Sequence, residues 1–238
     1  MDAHRADPGV SAIRIAALVP AYQASATIAA VVRGTAARVS PVVVVDDGST
    51  DATGEVARAA GATVLRQEPN AGKGAALARG FRHLVEGGFT HALTLDADGQ
   101  HLPEEIPLLV DAARAEPDAI VVGVRRKEGH EIRPLARFGN VVADSLMRLL
   151  AGQELPDTQS GFRVYPLGAT LALGASGTRY DFETEVLFRA ARRRMMLVGV
   201  PVRVHYPPIA ERVSHFRPLV DTLRIIHTIV RILVGLDA

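Results

Sequence analysis

Apolar residues along the chain fall into short β-branched runs that alternate with stretches of helical spacing. The runs "IRIAALVP" (13–20), "PVVVVDDG" (41–48), "ATVLRQ" (62–67), "HALTLDAD" (91–98) and "DAIVVGVRR" (118–126) predict five strands. Between them, "SATIAAVVRGTAARV", "STDATGEVARAAG", "GKGAALARGFRHLVEGG" and "PEEIPLLVDAARAE" predict helices. Their ends carry chemical signals: Ser49 or Thr50 as a cap with Asp51 in the first turn, Gly61 at a close, and Pro103 ahead of two acids. Strands alternating with helices in this way predict βαβ units and an α/β fold with a mostly parallel central sheet flanked by helices. Right-handed crossovers then bring the strand ends "VVDDG", "LTLDADG" and "VVGVRR" to one edge, where such sheets bind ligands.

The second half is less regular. "ARFGNVVADSLMRLLAG" and "YDFETEVLFRAARRR" predict helices, "MMLVGVPVRVHYP" a strand and "ERVSHFRP" a loop, while "DTQSGFRVYP" mixes polar groups with a short apolar run. No linker-like break divides the chain. The expected organisation is a tail over 1–12, a single domain over 13–216 with halves at 13–125 and 126–216, and a C-terminal helix over 217–238. In that last segment Asp221, Arg224, His227 and Arg231 recur every three or four positions among Leu, Ile and Val, which predicts an amphipathic helix. Such a helix suits peripheral contact with a membrane surface. It equally suits packing on the sheet or on a second subunit, as in a homodimer, and the pattern leaves these alternatives open.

Composition narrows the classes. With 48% hydrophobic residues and a net charge of +1, the chain can build a sizeable core and lacks the electrostatic footprint of a nucleic-acid binder. The absence of cysteine excludes disulfides and thiolate-bound zinc and fits a reducing compartment. "MDAHRADPGVSA" lacks the apolar core of a signal peptide, and no apolar stretch has the length of a spanning helix. The expected location is cytoplasmic, including the cytoplasmic membrane face.

In "LTLDADGQHLP", Asp96 and Asp98 stand one residue apart after an apolar run. On a strand they would share a face. Their carboxylates, the Gln100 carbonyl and water suit a hard cation, Mg²⁺ or Mn²⁺, completed by phosphate. An EF-hand is excluded, because its twelfth position holds Pro107 rather than Glu. A solvated turn is the competing reading of D-x-D taken alone. In "VVVVDDGSTD", acids ahead of a helix N-terminus suit a nucleobase or ribose, with a capped strand–turn–helix junction as the alternative. "NAGKGAALARG" is not a P-loop: Gln67 takes the place of the first glycine and Gly74 follows Lys73. What remains is a Gly-rich helix start with a cation suited to seating a nucleotide, or a tight turn.

Six motifs, "VPAY" (19–22), "VVDDGSTD" (44–51), "NAGKG" (70–74), "LDADGQH" (95–101), "SGFRVY" (160–165) and "ERVSHFR" (211–217), stand in register. Together they resemble the family 2 glycosyltransferases of the GT-A fold, and most of all the polyprenol-phosphate (dolichol-phosphate) sugar transferases. The resemblance implies a Rossmann-like GT-A domain with a nucleotide half and an acceptor half. It implies a metal-dependent, inverting transfer of a sugar from a UDP- or GDP-sugar donor to a lipid-phosphate or lipid-linked acceptor. Pro20, Tyr22, Val45 and Asp47 would line the base and ribose pocket, with Lys73 among the donor contacts. Asp96, Ala97, Asp98 and Gln100 would form the metal and diphosphate site, with Asp98 and Gln100 as direct ligands and Asp96 close to metal and sugar. Arg125, Arg212 and Arg217 would contact phosphates. Arg137, Gln159 and Ser160 would meet the acceptor. Cations aimed at the departing diphosphate stabilise the charge that builds there, so the division of roles is chemically coherent.

The departures are informative. Gln23 and Ala24 stand where the family carries Asn-Glu, which leaves the base open between UDP and GDP. "TQSG" replaces a Glu-Asp pair that supplies a general base to hydroxyl acceptors, which points to an acceptor already ionised, such as a lipid phosphate. Asp157 is the fallback base. Asp181, Glu183 and Glu185 in "YDFETE" read first as acids that start a helix. Two rivals come from other classes. One is a sugar-1-phosphate nucleotidyltransferase, whose Gly-rich basic N-terminal signature "VPAYQASATI" lacks. The other is a non-catalytic nucleotide-binding partner subunit, against which the intact "DADGQ" speaks.

Overall fold

The computed structural model describes residues 13–125, 157–205 and 218–234. Seven strands form one sheet: β1 (Ile15–Ala21), β2 (Val42–Asp46), β3 (Thr63–Arg66), β4 (His91–Thr94), β5 (Ile120–Arg125), β6 (Arg163–Pro166) and β7 (Leu197–Val202), in the order β3-β2-β1-β4-β6-β5-β7. Every neighbouring pair is parallel except the two made by β6, which runs antiparallel between β4 and β5. The helices are α1 (Ile28–Ala36), α2 (Thr53–Ala59), α3 (Lys73–Glu86), α4 (Ile106–Ala115), α5 (Leu167–Ala172), α6 (Asp181–Arg192) and α7 (Pro218–Leu233). The winding reverses at β1, which has β2 on one side and β4 on the other. The carboxyl ends of β1 and β4 therefore bound the crevice where open α/β sheets bind ligands.

Alternation along each strand assigns side chains to two cores. Ala17, Val19 and Ala21 of β1 pack with Ile28 and Val32 of α1 and Leu109 of α4. Ala16 and Leu18 pack on the other face with Leu77 and Phe81 of α3 and Val186 and Leu187 of α6. A sheet covered on both faces needs apolar residues at every position, which is why its strands read as continuous runs.

Two expectations are corrected and one open segment is resolved. The run 91–98 does not stay extended to its end: β4 stops at Thr94, so Asp96 and Asp98 lie in the turn that follows. "DTQSGFRVYP" supplies a strand, β6, although it opens on an arginine. Arg163 is fully buried, and its N–H groups donate to the carbonyls of Thr158, Ser160 and Glu183 and to the Tyr165 hydroxyl. A guanidinium so satisfied is tolerated inside. Finally, Asp221 does not lie on an outer polar stripe of α7; it is buried, 3.5 Å from Arg224.

On α7, Ile225, Ile229 and Ile232 pack against Phe188 and Ala191 of α6. Ile226, Val230 and Leu233 are exposed on another face. Among the described residues no helix is long and apolar enough to cross a membrane. The predicted helix over 136–152 and most of the 211–218 loop lie outside the described residues, as do Arg137, Arg212, His215 and Arg217.

Candidate active site

The acid pair after β2 is built into the scaffold. Asp46 continues the alternation toward α2, and Asp47 turns toward the segment ahead of α3. Arg66 Nη1 donates to Asp46 Oδ2 at 2.6 Å, and the Ser49 amide donates to Oδ1 at 3.1 Å. Asp47 Oδ1 accepts from Gln67 Nε2 at 2.7 Å and the Ala71 amide at 2.8 Å; its Oδ2 accepts from the Gly72 amide at 2.8 Å. Both carboxylates are buried and occupied within the chain. Asp47, expected to line the ribose pocket, fastens the Gly-rich loop. Gln23, with φ of 51°, ties the loop after β1 to the same region: its Oε1 accepts from the Thr50 and Asp51 amides, each at 3.1 Å.

The Gly-rich start of α3 is shaped by packing. A methyl on Gly72 would stand 2.5 Å from the Thr178 carbonyl oxygen, and one on Gly74 would stand 2.5 Å from Phe182 Cβ. The Ala75 amide donates to Thr178 O at 3.0 Å. Residues 177–182 thus come down onto the helix start, and only glycine admits them. Lys73 is then carried between α6 and the turn after β4.

At that turn the alternation of β4 directs Ala92, Thr94 and Asp96 to the face covered by α3 and α6. Lys73 Nζ lies 2.6 Å from Asp96 Oδ1 and 2.7 Å from Glu183 Oε2, and His101 Nε2 lies 3.4 Å from Asp96 Oδ2. Burial alone would raise the Asp96 carboxyl, but Lys73 and His101 outweigh it and hold it well below the usual carboxylate range. Burial would likewise lower Lys73, yet Asp96 and Glu183 push it up. Asp98 has no ion-pair partner among the described residues. Burial, and then the neighbouring Asp96 charge, push its carboxyl up. Its oxygens accept from the Gln100 amide at 2.9 Å and from Gln100 Nε2 at 2.8 Å. The turn is pinned from outside: Thr27 Oγ1 donates to Ala97 O at 2.6 Å, and the His205 amide donates to Gln100 O at 2.8 Å.

Gly161 lets the segment before β6 pass under Asp96; a methyl there would stand 2.7 and 2.8 Å from the Asp96 oxygens and 2.9 Å from Lys73 Nζ. That segment leads back to Asp157, which forks onto Arg125: Nε to Oδ2 at 2.7 Å and Nη2 to Oδ1 at 2.8 Å. Burial would raise Asp157, but Arg125 outweighs it and lowers its carboxyl. Ser160 is buried and Gln159 half-buried between these two clusters. Pro20 and Val45 are buried at the strand ends, and Tyr22 is exposed just beyond β1.

The structure brings together Lys73, Asp96, Asp98 and Gln100, and beside them Arg125, Asp157, Gln159 and Ser160. Sequence reasoning gave too little weight to Glu183, which stands apart from its neighbours. Asp181 accepts from the Arg179 amide and Thr228, and Glu185 accepts from the Ser176 and Gly177 amides and Arg189. Among the described residues no three His, Cys, Asp or Glu side chains converge on one point. A carboxylate destabilised by burial, next to an amide carbonyl, nevertheless fits a hard divalent ion that takes its other ligands from phosphate and water.

A structure of glucosyl-3-phosphoglycerate synthase from Mycobacterium tuberculosis with phosphoglyceric acid matches with a TM-score of 0.71 at 24% identity, over 92% of this chain and 79% of that one. A second structure of that enzyme, with Mn²⁺, UDP-glucose and phosphoglyceric acid, gives 0.70 at 24% identity over 92% and 79%. The fold is therefore that of the GT-A glycosyltransferases. Residues 16–171 match the glycosyl transferase family 2 profile, and the chain belongs to that family of enzymes. The undecaprenyl-phosphate mannosyltransferase of Micrococcus luteus is 34% identical over 174 residues, 68% of this chain and 71% of that protein. The polyprenol monophosphomannose synthase of Mycolicibacterium smegmatis is 32% identical over 173 residues, 68% of this chain and 65% of that protein. These likenesses bear out the family read from the six motifs and give the nucleotidyltransferase alternative no support.

Proposed function

We propose that this glycosyltransferase moves a sugar, with inversion, from a UDP- or GDP-sugar to the phosphate of a polyprenol-type lipid carrier. The observation that carries this reading is the contrast between its carboxylates. Asp98 stands at the crevice with no ion-pair partner among the described residues, as a donor-diphosphate site needs, while Asp157, the carboxylate on the acceptor side, is locked in a fork with Arg125. A carboxylate so held is a poor general base, so the acceptor has to bring its own charge, as a phosphate does. The names of the relatives in Micrococcus luteus and Mycolicibacterium smegmatis support the same acceptor class.

In this mechanism Asp98 and Gln100 would hold Mg²⁺ or Mn²⁺, which supplies charge compensation for the leaving diphosphate. Tyr22, Pro20 and Val45 flank the nucleotide end of the crevice. Asp47 and Gln23 keep the loops after β1 and β2 in place around it. The Arg125–Asp157 fork fixes the guanidinium at the far end, where phosphate charge is to be met. The exposed face of α7, with Ile226, Val230 and Leu233 beside Arg224 and His227, suits peripheral contact with the membrane that carries such a lipid.

The test is transfer of labelled sugar from UDP-glucose and GDP-mannose to undecaprenyl phosphate and, in parallel, to undecaprenol. Transfer to the phosphate alone is expected, and equal transfer to the alcohol would overturn the acceptor assignment. EDTA is expected to abolish both turnover and nucleotide binding.

A further inference from the structure

Lys73 opens α3 where the turn after β4 comes nearest to α6. Its ammonium is held on two sides, by Asp96 Oδ1 at 2.6 Å and Glu183 Oε2 at 2.7 Å. Space around Asp96 is short. The backbone of Gly161 approaches so closely that a methyl there would stand 2.7 Å from Oδ2, and His101 Nε2 stands 3.4 Å from that same oxygen. Glu183 is buried, and its second oxygen, Oε1, has no hydrogen-bond partner. A buried carboxylate with a bare oxygen is costly to keep. What it gains is a fixed ammonium: a lysine on a flexible stem holds one position only when it is anchored on more than one side. Asp98, two residues beyond Asp96, accepts, among the described residues, only from the N–H groups of Gln100.

We propose that Lys73, held by Glu183, is a resident counter-charge that withholds Asp96 from the divalent ion, so that Asp98 is the one carboxylate this chain gives the ion. The nucleotide's phosphates then have to complete the coordination, and ion and nucleotide bind together. This rests on the donor-site reading above. Glu183 is a positioning residue in this arrangement, and Lys73 serves the carboxylate rather than the nucleotide.

The test is Mn²⁺ binding to the full chain, followed by the paramagnetic resonance of the free ion. The native protein is compared with the double variant Lys73→Met/Glu183→Gln, which removes one charge of each sign, strands no charge at Glu183 and leaves Asp96 free for the ion. Native protein is expected to bind Mn²⁺ alone at least about tenfold more weakly than in the presence of UDP or GDP. The double variant is expected to bind Mn²⁺ alone at least about tenfold more tightly than native, and adding Asp96→Asn should cancel that gain. Native and double variant agreeing within about twofold would overturn the proposal.

Should the double variant not fold, the native chain answers through its lysines, which are only Lys73 and Lys127. With ¹³C-labelled lysine, and Lys127→Arg for assignment, the Lys73 signal should keep its ion-paired position when Mg²⁺ and nucleotide are added. Movement to the position of a free lysine would overturn the proposal. The two readings fail separately. Nucleotide binding that ignores Mn²⁺ overturns the donor-site reading and this inference with it. Mn²⁺-dependent nucleotide binding with equal ion affinity in native and double variant overturns the inference alone.

Discussion

Two pairs of acids stand at the ends of parallel strands of this sheet, Asp46 and Asp47 at the end of β2, Asp96 and Asp98 after β4, and in sequence they look alike. In the structure the first pair is saturated from within, by Arg66, the Ser49 amide, Gln67 and the amides of Ala71 and Gly72. The second pair is split: Asp96 takes Lys73, and Asp98 is left with a carboxyl pushed up by burial and by its neighbour. A carboxylate satisfied by its own chain serves the scaffold, and one left without an ion pair among the described residues is the one the proposed donor site would use. The number of acids at a strand end does not separate these uses; the fate of each oxygen does.

The contrast breaks most sharply at Asp98. Asp98→Ala is expected to lower sugar transfer by about 100- to 1,000-fold in steady-state assays. Asp98→Asn should also raise the Tm at neutral pH. A carboxyl whose folded pKa is raised opposes folding once it is ionised, so neutralising it relieves the fold. Asp47 should behave in the opposite sense. Asp47→Ala strands two amides and the Gln67 side chain, at a cost of about 3 kcal/mol, or about 6–12 °C in Tm by calorimetry. If Asp98→Asn is the destabilising one and Asp47→Ala is neutral, the assignment of scaffold and site is reversed.

Smaller effects sharpen the picture. Gly161→Ala should lower the Tm by a few degrees in calorimetry, because its methyl would meet Asp96 and Lys73. Gly168→Ala, which meets open space, should not. Val230→Asp on the exposed face of α7 should reduce sedimentation with anionic vesicles while moving Tm by little. Unchanged sedimentation would remove α7 from membrane contact. The smallest effect is in alkali. Lys73 is raised in the folded chain, so its contribution is complete below about pH 10.4 and is lost as pH climbs beyond that. The Tm difference between native protein and Lys73→Met should therefore shrink between about pH 8 and about pH 11.

The parallel part of the sheet was legible because β1, β2 and β5 are near-continuous apolar runs and the strands are bounded by turn residues. β6 was not, because its pairing with β4 and β5 is non-local and its first residue is an arginine that only the assembled carbonyls of 158, 160 and 183 make acceptable inside. The site was legible as motifs but not as contacts. "NAGKG" looked like a nucleotide seat, yet its glycines answer to Thr178 and Phe182, residues that no local pattern ties to them. Glu183 was hidden among three acids whose roles diverge only once α6 lies beside Lys73.

The reversed direction of β6 has a consequence for how such an enzyme changes partners. The donor-side acids follow the ends of strands, whereas Asp157, Gln159 and Ser160 precede the start of one. Because β5 and β6 are adjacent and antiparallel, the chain between them leaves the sheet and returns to it at neighbouring points, with Gly123 bonded to Phe162 at 2.8 Å. That stretch is bracketed like a cassette. In the proposed division of roles, exchanging it for the corresponding piece of a relative would change which acceptor is received while β1 to β4 and the turns that follow them stay as they are.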